Sequence, residues 1–317
     1  MKETHSILRL QTKKPMEDRM TIRTATGAYA LINFPYGWTP ASQPHNGDTF
    51  IVNSDTAIML GGNFSASTVD LSWNPGTSSV PQSPGPTLDL YGVTHLGTVE
   101  VSGPSALAPA TINVLGSATV DHLDLQAGYP GHTLTVNIGS FSRLTTEYDG
   151  AGDRYAFLNV TGGVGSTLDN DGKSYVDAAT IAANVIGNGS WTENGGYPGS
   201  VHMSFEGSVG PGQTVNLAGD SALSIDEPTG FHGLVNIEQG WVGGPPDDIL
   251  LAGIHGDSFT YRNDMLAVSS AGKVVDTLRI TDPNGVFSVS DTTAGTIIIP
   301  VFSPEVQQYA GSILHVS

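Results

Sequence analysis

The chain has 317 residues, no cysteine and a formal charge of −18 at neutral pH. These features exclude a disulfide framework, a thiol nucleophile and a cysteine-ligated metal, and a body this acidic would repel a nucleic-acid backbone. Forty glycines and nineteen prolines with only 13% charged residues favour many short strands and turns over long helices. We therefore expect an all-β protein. The sequence has no apolar run of about 18 residues, so we expect no membrane span.

The first 19 residues are basic and lack the apolar run of a secretory signal. We interpret residues 1–19 as a tag, a leader or a frayed terminus outside the fold. Six of the twelve basic residues precede residue 24, so residues 24–317 hold six basic and 27 acidic residues, a charge of about −21. Such a field favours solubility, cations and neutral partners such as glycans.

Short segments with alternating apolar and polar residues recur from residue 88 onward. The first five begin at Leu88, Val99, Ile112, Leu123 and Leu134. A period of two residues indicates half-buried strands, and near-constant spacing fits either a β-sandwich or a solenoid. The connections are longer and more varied than hairpin turns, so we favour the solenoid. Two-strand coils of about 22–24 residues would bring Asp89 near Asn113, and Glu100 near Asp124.

Upstream of these strands, Trp38 is followed by Pro44-His45-Asn46-Gly47-Asp48-Thr49-Phe50-Ile51-Val52. The pattern resembles the opening of β-solenoid passenger regions in bacterial surface and secreted proteins, and the resemblance covers residues 37–245. It implies a right-handed parallel β-helix at the cell exterior. A β-sandwich stays the alternative.

After Gly243-Gly244-Pro245-Pro246 the pattern changes to strands joined by short turns, which we place at Gly256-Asp257, Ser270-Ala271-Gly272 and Pro283-Asn284-Gly285. Tight connections predict antiparallel pairing. The segment resembles the C-terminal β-modules of acidic alphaproteobacterial repeat proteins. We predict a β-solenoid at 20–245 with an irregular insert at 140–199, followed at 246–317 by an antiparallel β-module that caps the last edge.

The predicted insert is rich in carboxylates: Glu147, Asp149, Asp153, Asp169, Asp171 and Asp177. Two interpretations stay open. The first is a set of solvated turns. The second is a calcium site formed by Asp149, Asp153, Asp169 and Asp171, since calcium prefers oxygen ligands. The Asp-Asn-Asp-Gly run is not an EF-hand, because the twelfth loop position would be Ala178. We expect no other cofactor.

Two copies of Gly-Tyr-Pro-Gly, at 128–131 and 196–199, frame this insert. Each can redirect the chain into a strand, since glycine permits unusual dihedrals and proline fixes one. Four aromatic residues in and around the insert are candidates for carbohydrate binding: Tyr129, Tyr155, Trp191 and Tyr197. An aromatic ring can pack on a sugar while polar neighbours orient its hydroxyl groups. For Trp191 the alternative is a residue that covers the edge of the core.

The preferred interpretation of the sequence is a non-catalytic, extracellular or cell-surface protein for adhesion and for contact with glycan or matrix. One alternative is an enzyme acting on a polysaccharide, a hydrolase or a lyase, with Glu147, Asp149, Asp153 and Asp169 as candidate catalytic residues. A lyase is disfavoured because Arg143, Arg154 and Lys173 are the only basic residues between 24 and 261. Another alternative is a phage-like tail-fibre component. Solenoids of that kind trimerise, so an oligomeric state stays an alternative.

Overall fold

The computed structural model describes residues 21–25, 29–31, 37–42, 44–52, 57–72, 85–102, 110–126, 132–149, 156–176, 178–193, 201–217, 221–237, 247–282 and 286–301. Over these residues the protein is all-β and most neighbouring strands run parallel, as predicted. The one helical element in the described ranges is a single 3-10 turn, Pro228–Gly230. In that part of the chain no helix is long and apolar enough to cross a bilayer.

The N-terminal half is built around three long parallel strands. The strands up to that point are β1 (Ile22–Ala25), β2 (Tyr29–Leu31), β3 (Trp38–Thr39), β4 (Thr49–Val52), β5 (Ala57–Ser72), β6 (Thr87–Ser102) and β7 (Ala110–Gln126). β5 pairs with β6, and β6 with β7, almost residue for residue. In this register Asp89 lies opposite Asn113 and Glu100 opposite Asp124, which confirms both predicted pairs.

Each long strand is bent at a glycine, so that the two short strands predicted from alternation are two arms of one strand. Gly62, Gly92 and Gly116 share one register position, with φ of 78°, 71° and 153°. These values lie in the region that glycine adopts without a steric penalty. A side chain at Gly116 would collide with the backbone of Gly92, so the coils stack closely only because this column is glycine.

The middle of the chain continues the same parallel pairing in shorter strands. They are β8 (His132–Ile138), β9 (Arg143–Asp149), β10 (Ala156–Gly162), β11 (Thr167–Asp169), β12 (Lys173–Val176), β13 (Ala178–Ile181), β14 (Asn184–Ile186), β15 (Ser190–Glu193), β16 (Val201–Phe205), β17 (Thr214–Leu217), β18 (Ser221–Ile225) and β19 (Leu234–Ile237). Successive coils are 17 to 30 residues apart in sequence, as in the pairs Thr167 with Asn184 and Ala57 with Thr87. Where the structure describes the predicted insert, at residues 140–149, 156–176 and 178–193, the strands keep this parallel pairing.

Near the C-terminus the pairing changes from parallel to antiparallel. The strands are β20 (Asp248–Ala252), β21 (Ser258–Arg262), β22 (Met265–Ser270), β23 (Lys273–Thr281), β24 (Phe287–Asp291) and β25 (Gly295–Pro300). β20 pairs in parallel with β18 and antiparallel with β25, and β23 pairs in parallel with β19 and antiparallel with β22. The antiparallel strands thus continue the last rungs of the parallel stack.

The core consists of aliphatic side chains stacked from coil to coil. One column in register contains Leu88, Ile112, Val136, Val160, Ile181, Phe205, Ile225 and Leu251, all at most 1% exposed. Burying each such side chain contributes about 1.5–3 kcal/mol. Aromatic rings fill two further places, with Trp38 packed on Phe50 at 5.0 Å and Trp191 on Phe205 at 6.0 Å between ring centroids.

A buried ion pair closes the N-terminal end. Arg23 and Asp48 are each about 2% exposed and are directly hydrogen-bonded, and Asp48 also accepts the backbone N–H groups of Thr21 at 3.1 Å and His45 at 2.9 Å. Burial alone would raise the pKa of Asp48. The hydrogen bonds from Arg23, His45 and Thr21 outweigh it, and the pKa lies below its usual value. The Gly-Asp-Thr turn identified from the sequence therefore anchors the first coil.

Candidate functional site

Of the predicted site carboxylates, Asp169 is buried and already paired. Its side chain is 4% exposed and forms an ion pair with Arg143, whose own side chain is 51% exposed. Thr145, which lies opposite Asp169 on the preceding coil, donates a hydroxyl hydrogen bond to the same carboxylate oxygen at 3.5 Å. Arg143 and Asp169 thus join two neighbouring coils, and the arginine neutralises a carboxylate that the sequence suggested for metal binding or catalysis.

The other predicted carboxylates are spread over separate turns and strand ends where the structure describes them. Asp171 is exposed and accepts the backbone N–H of Asn188 at 3.0 Å. Glu147 and Asp149 lie on β9, opposite His122 and Asp124, and their side chains are outside the described set, as are Asp153 and Asp177. Within the described residues, no three His, Asp or Glu side chains come together as metal ligands. The calcium site and the catalytic carboxylates stay predictions.

Trp191, a candidate for carbohydrate binding, lies inside the core. It is 1% exposed, its ring packs on Phe205, and its indole N–H donates to Oε1 of Gln213 at 3.0 Å. A ring in this position has no face open to a sugar, so its burial agrees with the alternative that Trp191 covers the core. Tyr129, Tyr155 and Tyr197 lie outside the described residues, as do both Gly-Tyr-Pro-Gly copies.

Gln213 is the centre of a buried group that we call the amide network, formed with Asn170 and Trp191. Gln213 is 0% exposed, and its amide nitrogen donates to the backbone oxygens of Asn170 and Ile186, both at 2.8 Å. Its amide oxygen accepts from Trp191 and, at 3.3 Å, from the Asn170 side chain. All four hydrogen-bonding positions of the glutamine are therefore used. The network gives the indole N–H of Trp191 its partner and adds a second hydrogen bond to two carbonyls, since that of Asn170 also accepts the N–H of Gly189 and that of Ile186 the N–H of Asn170.

On the outer surface a second row of polar side chains runs from coil to coil. We call it the amide ladder: Asp89, Asn113, Asn137 and Thr161. The side-chain nitrogen of Asn113 donates to Asp89 at 2.6 Å, that of Asn137 donates to Asn113 at 2.7 Å, and the hydroxyl of Thr161 donates to Asn137 at 2.6 Å. Each step is 24 residues long. Because every amide is oriented by its neighbours, the ladder is a rigid polar row.

A parallel column of hydroxyl and amide groups lies beside the ladder, two residues earlier on the same strands. It contains Thr87, Thr111, Thr135, Asn159 and Thr180, in register and each half-buried. Alternate residues on a strand point to the same face, and neighbouring strands are about 4.8 Å apart. The two columns therefore form a regular polar surface, which we call the ladder face.

Large side chains border the ladder face at the glycine bends of β6 and β7 and just after the ends of β8 and β10. This corner strip consists of Tyr91 and Leu115, in register two residues after the ladder, and of Phe141 and Val164 in the turns that follow β8 and β10. Leu115, Phe141 and Val164 are 47%, 85% and 78% exposed, and the backbone N–H of Phe141 donates to the carbonyl of Val164 at 3.0 Å. Large apolar groups on neighbouring coils thus form one exposed strip.

Phe141 is the most unusual residue of the strip. Its φ of 57° lies in the left-handed region, which is unfavourable for a bulky residue. Its ring lies against Gly165 of the next coil, where a Cβ atom would come within 3.0 Å of the ring. Strained backbone that also exposes a large aromatic ring is more common at functional sites than in ordinary turns.

An acidic row lies away from the ladder face, on the second arm of the long strands and on β9 beside them. There Asp70, Glu100, Asp124 and Asp149 occupy one register position on four successive coils. In the ladder and strip the one carboxylate is Asp89, which is 6% exposed and hydrogen-bonded to Asn113. The two arms of each coil thus present different chemistry, a nearly neutral amide and hydroxyl surface and an acidic row.

Sequence reasoning identified the members of the amide ladder as strand residues but did not identify the surface that they form. The signal was present as a repeated polar pair, Thr87 with Asp89, Thr111 with Asn113 and Thr135 with Asn137, at 24-residue steps. Phe141 had no such signal, since an aromatic residue in a serine-flanked turn has no characteristic pattern.

Comparison with known proteins gives no relative for this chain: no family model, no curated protein and no solved structure matches it. The geometry of its surfaces is therefore the basis for any functional proposal.

Proposed function

We propose that the protein is an extracellular or cell-surface β-solenoid that serves in adhesion, by contacting a glycan or matrix polymer without catalysis. The observation that carries the proposal is the position of the ladder face beside the corner strip on the same successive coils. Carbohydrate sites combine apolar or aromatic surface with a few oriented hydrogen-bonding groups. This pair of surfaces offers both on one rigid scaffold.

The composition is compatible with an exterior location. A chain with no cysteine does not depend on the redox state of its compartment, and a formal charge of −18 favours solubility. We also propose that the parallel coils wind in the right-handed sense. Crossover connections between parallel strands have that hand in nearly all known cases, because of the twist of the strands.

The proposal is tested by incubating the full chain with a glycan array and with soluble polysaccharides, and by analysing both retention and products. We expect retention on a subset of glycans with no release of reducing ends. Release of reducing ends that is lost in Glu147→Gln would replace the adhesin with the polysaccharide-degrading enzyme. Retention on no glycan and on no matrix preparation would refute the proposal.

The corner strip also favours a second candidate, a structural component of a phage-like fibre. Phe141 and Val164 expose apolar surface along the coil axis, which is where chains of a trimeric solenoid would meet. Light scattering combined with size-exclusion chromatography measures the mass. A trimer that dissociates in Phe141→Ser would support the fibre, and a monomer of 33.0 kDa would exclude it.

A further inference from the structure

We propose that the ladder face and corner strip bind a neutral, linear polysaccharide whose chain lies along the coil axis, with Phe141 stacked against one of its sugar rings. This inference rests on the proposed function and adds to it the class of glycan, its direction and the residue that anchors it. It depends on the register of the strands, on the hydrogen-bonding capacity of the ladder, and on the conformation and exposure of Phe141.

The direction of the ligand follows from the direction in which the chemistry repeats. Along one strand the outward groups change from hydroxyl to amide to apolar, as in Thr111, Asn113 and Leu115. Across strands the same kind of group recurs on every coil, from Thr87 to Thr180 in one column and from Asp89 to Thr161 in the next. A polymer of identical units therefore meets similar polar partners on successive coils when its chain crosses the strands. The rung spacing of about 4.8 Å is comparable to the length of one sugar residue.

The ladder side chains keep hydrogen-bonding capacity for such a ligand. Among the described residues, Asn113 and Asn137 each use one N–H of the amide and accept one hydrogen bond at the oxygen. An asparagine side chain has two donor hydrogens and two acceptor positions, so Asn113 and Asn137 each retain one donor hydrogen and one acceptor position. Their orientation is fixed by the ladder before any ligand arrives, which reduces the entropy cost of binding. Sugar hydroxyl groups, which donate and accept, match this remaining capacity.

The absence of exposed charge on the described part of these surfaces selects a neutral polymer. Asp89 is almost fully buried, and the acidic row formed by Asp70, Glu100, Asp124 and Asp149 lies on the other arm of the coils. An acidic polysaccharide would be repelled by the field of the protein, whereas a cationic polymer would be attracted to the acidic row. A neutral chain is the ligand that the ladder face itself favours.

Phe141 supplies the apolar contact. Phe141 is 85% exposed, lies in the turn four residues after the ladder residue Asn137, and has one edge of its ring against Gly165. A left-handed φ at phenylalanine opposes folding, and glycine or asparagine would adopt it more easily. The strain is understandable when the ring is needed for contact with a ligand, because an aromatic ring packs on the apolar face of a sugar.

The test is co-sedimentation of the full chain with three insoluble polysaccharides: a neutral β-linked glucan, a calcium-gelled polyuronate and a chitosan, combined with titration of soluble neutral glucan oligomers of two to eight units. We expect retention on the neutral glucan and an affinity that rises with oligomer length as more rungs are covered. Phe141→Ala should weaken binding about tenfold, and Thr135→Arg, which obstructs the middle of the ladder face, should weaken it at least as much. Val274→Ala, which removes an exposed apolar side chain from β23 (61% exposed), should leave binding unchanged.

Folding is followed by circular dichroism, and Phe141→Gly serves as a second variant because it removes the ring and also relieves the backbone. If the wild type binds a glycan but the Phe141 and Thr135 variants bind equally well, the adhesin proposal stands and this site is refuted. Preferential binding to polyuronate or chitosan, or an equal loss in Val274→Ala, also overturns the inference. The protein could instead be retained on no polysaccharide and change the shape of growing ice crystals. In that case the ladder face binds ice, a different periodic surface, and the inference is overturned.

Discussion

Amide side chains have opposite uses in two regions of the molecule. In the amide ladder they lie outside, half-buried, and each joins its coil to the next through one donor and one acceptor. In the amide network Gln213 lies inside at 0% exposure and uses its full capacity on turn carbonyls and Trp191. The difference shows that the side of the strand on which an amide lies decides its role. Inside, an amide completes the fold, whereas outside it retains capacity for a partner.

The largest effect is expected from breaking the inner network. Gln213→Ala removes the partner of the indole N–H of Trp191, removes one of the two hydrogen bonds at each of two backbone carbonyls, and leaves a cavity. A buried donor without a partner costs about 1–3 kcal/mol and the cavity adds to this loss, so we expect the free energy of unfolding to fall by about 4 kcal/mol. Urea denaturation measures this change. Gln213→Glu keeps the shape but loses both N–H donors, and it should also destabilise. A loss below 1 kcal/mol in both variants would mean that the network is not structural.

The buried ion pair at the N-terminal end is a charged group whose role also depends on its burial. Asp48→Asn leaves Arg23 buried without a carboxylate, and we expect a loss of about 3 kcal/mol at pH 7. Because the pKa of Asp48 is lowered in the folded state, its contribution is complete above the unfolded value of about 3.9 and disappears as the pH falls through the folded pKa. The difference in the free energy of unfolding between wild type and Asp48→Asn should therefore disappear only in acid.

Thermal melts of both proteins between pH 3 and pH 7 provide this measurement. Asp121→Asn is the matched control, since Asp121 pairs with His95 at 2.9 Å on the surface, where the carboxylate is 48% exposed. An exposed pair contributes little, so the control should change stability by less than about 0.5 kcal/mol. An Asp48 variant that matches this control across the pH range would contradict the role of the buried pair.

Substitutions in the glycine column test whether the outer surface depends on close stacking of the coils. Gly116→Ala places a Cβ against the backbone of Gly92, and we expect a loss of about 2 kcal/mol from collision and backbone strain together. At Gly62 a Cβ would have open space, so Gly62→Ala should cost only the strain, about 1 kcal/mol. Chemical denaturation of both variants measures the difference. Equal losses would show that stacking at the bend is not tight.

The smallest effect is expected on the outer ladder. Asn137→Ala removes two exposed-side hydrogen bonds, to Asn113 and from Thr161, and solvent can replace both. We expect a loss of about 1 kcal/mol in the free energy of unfolding. Comparison with Gln213→Ala under the same conditions sharpens the contrast between the two regions. A ladder variant as damaging as the network variant would show that the ladder is structural and not a surface for a partner.

The fold was predictable to the extent that it depends on local pattern and spacing. Alternation indicated strands, and coils of about 22–24 residues correctly placed Asn113 next to Asp89. The inner contacts were not predictable, because they join turns whose side-chain directions are not encoded locally. Arg143 and Asp169 are 26 residues apart, and nothing in either segment indicates that the arginine points toward the next coil. For the same reason the sequence left open whether Trp191 binds a sugar or covers the core.

The candidate site was missed because its residues are ordinary when considered one at a time. Threonine and asparagine are common in strands and turns, and only the shared register of Thr87, Thr111 and Thr135 makes them one surface. For Phe141 the sequence contained no signal, since nothing local indicates that a phenylalanine adopts a left-handed φ that glycine or asparagine adopts more easily. Its exposure follows from tertiary packing against Gly165 alone.

The constant 24-residue step between Asp89, Asn113, Asn137 and Thr161 has a consequence for how such a chain can change its length. Duplication or deletion of one step adds or removes a coil, extends or shortens the body by about 4.8 Å, and leaves the Asp48 anchor and the antiparallel C-terminal strands as they are. The number of subsites would change in whole units while their chemistry stays the same. Reach and avidity could therefore evolve by a single in-frame duplication, without the design of any new contact.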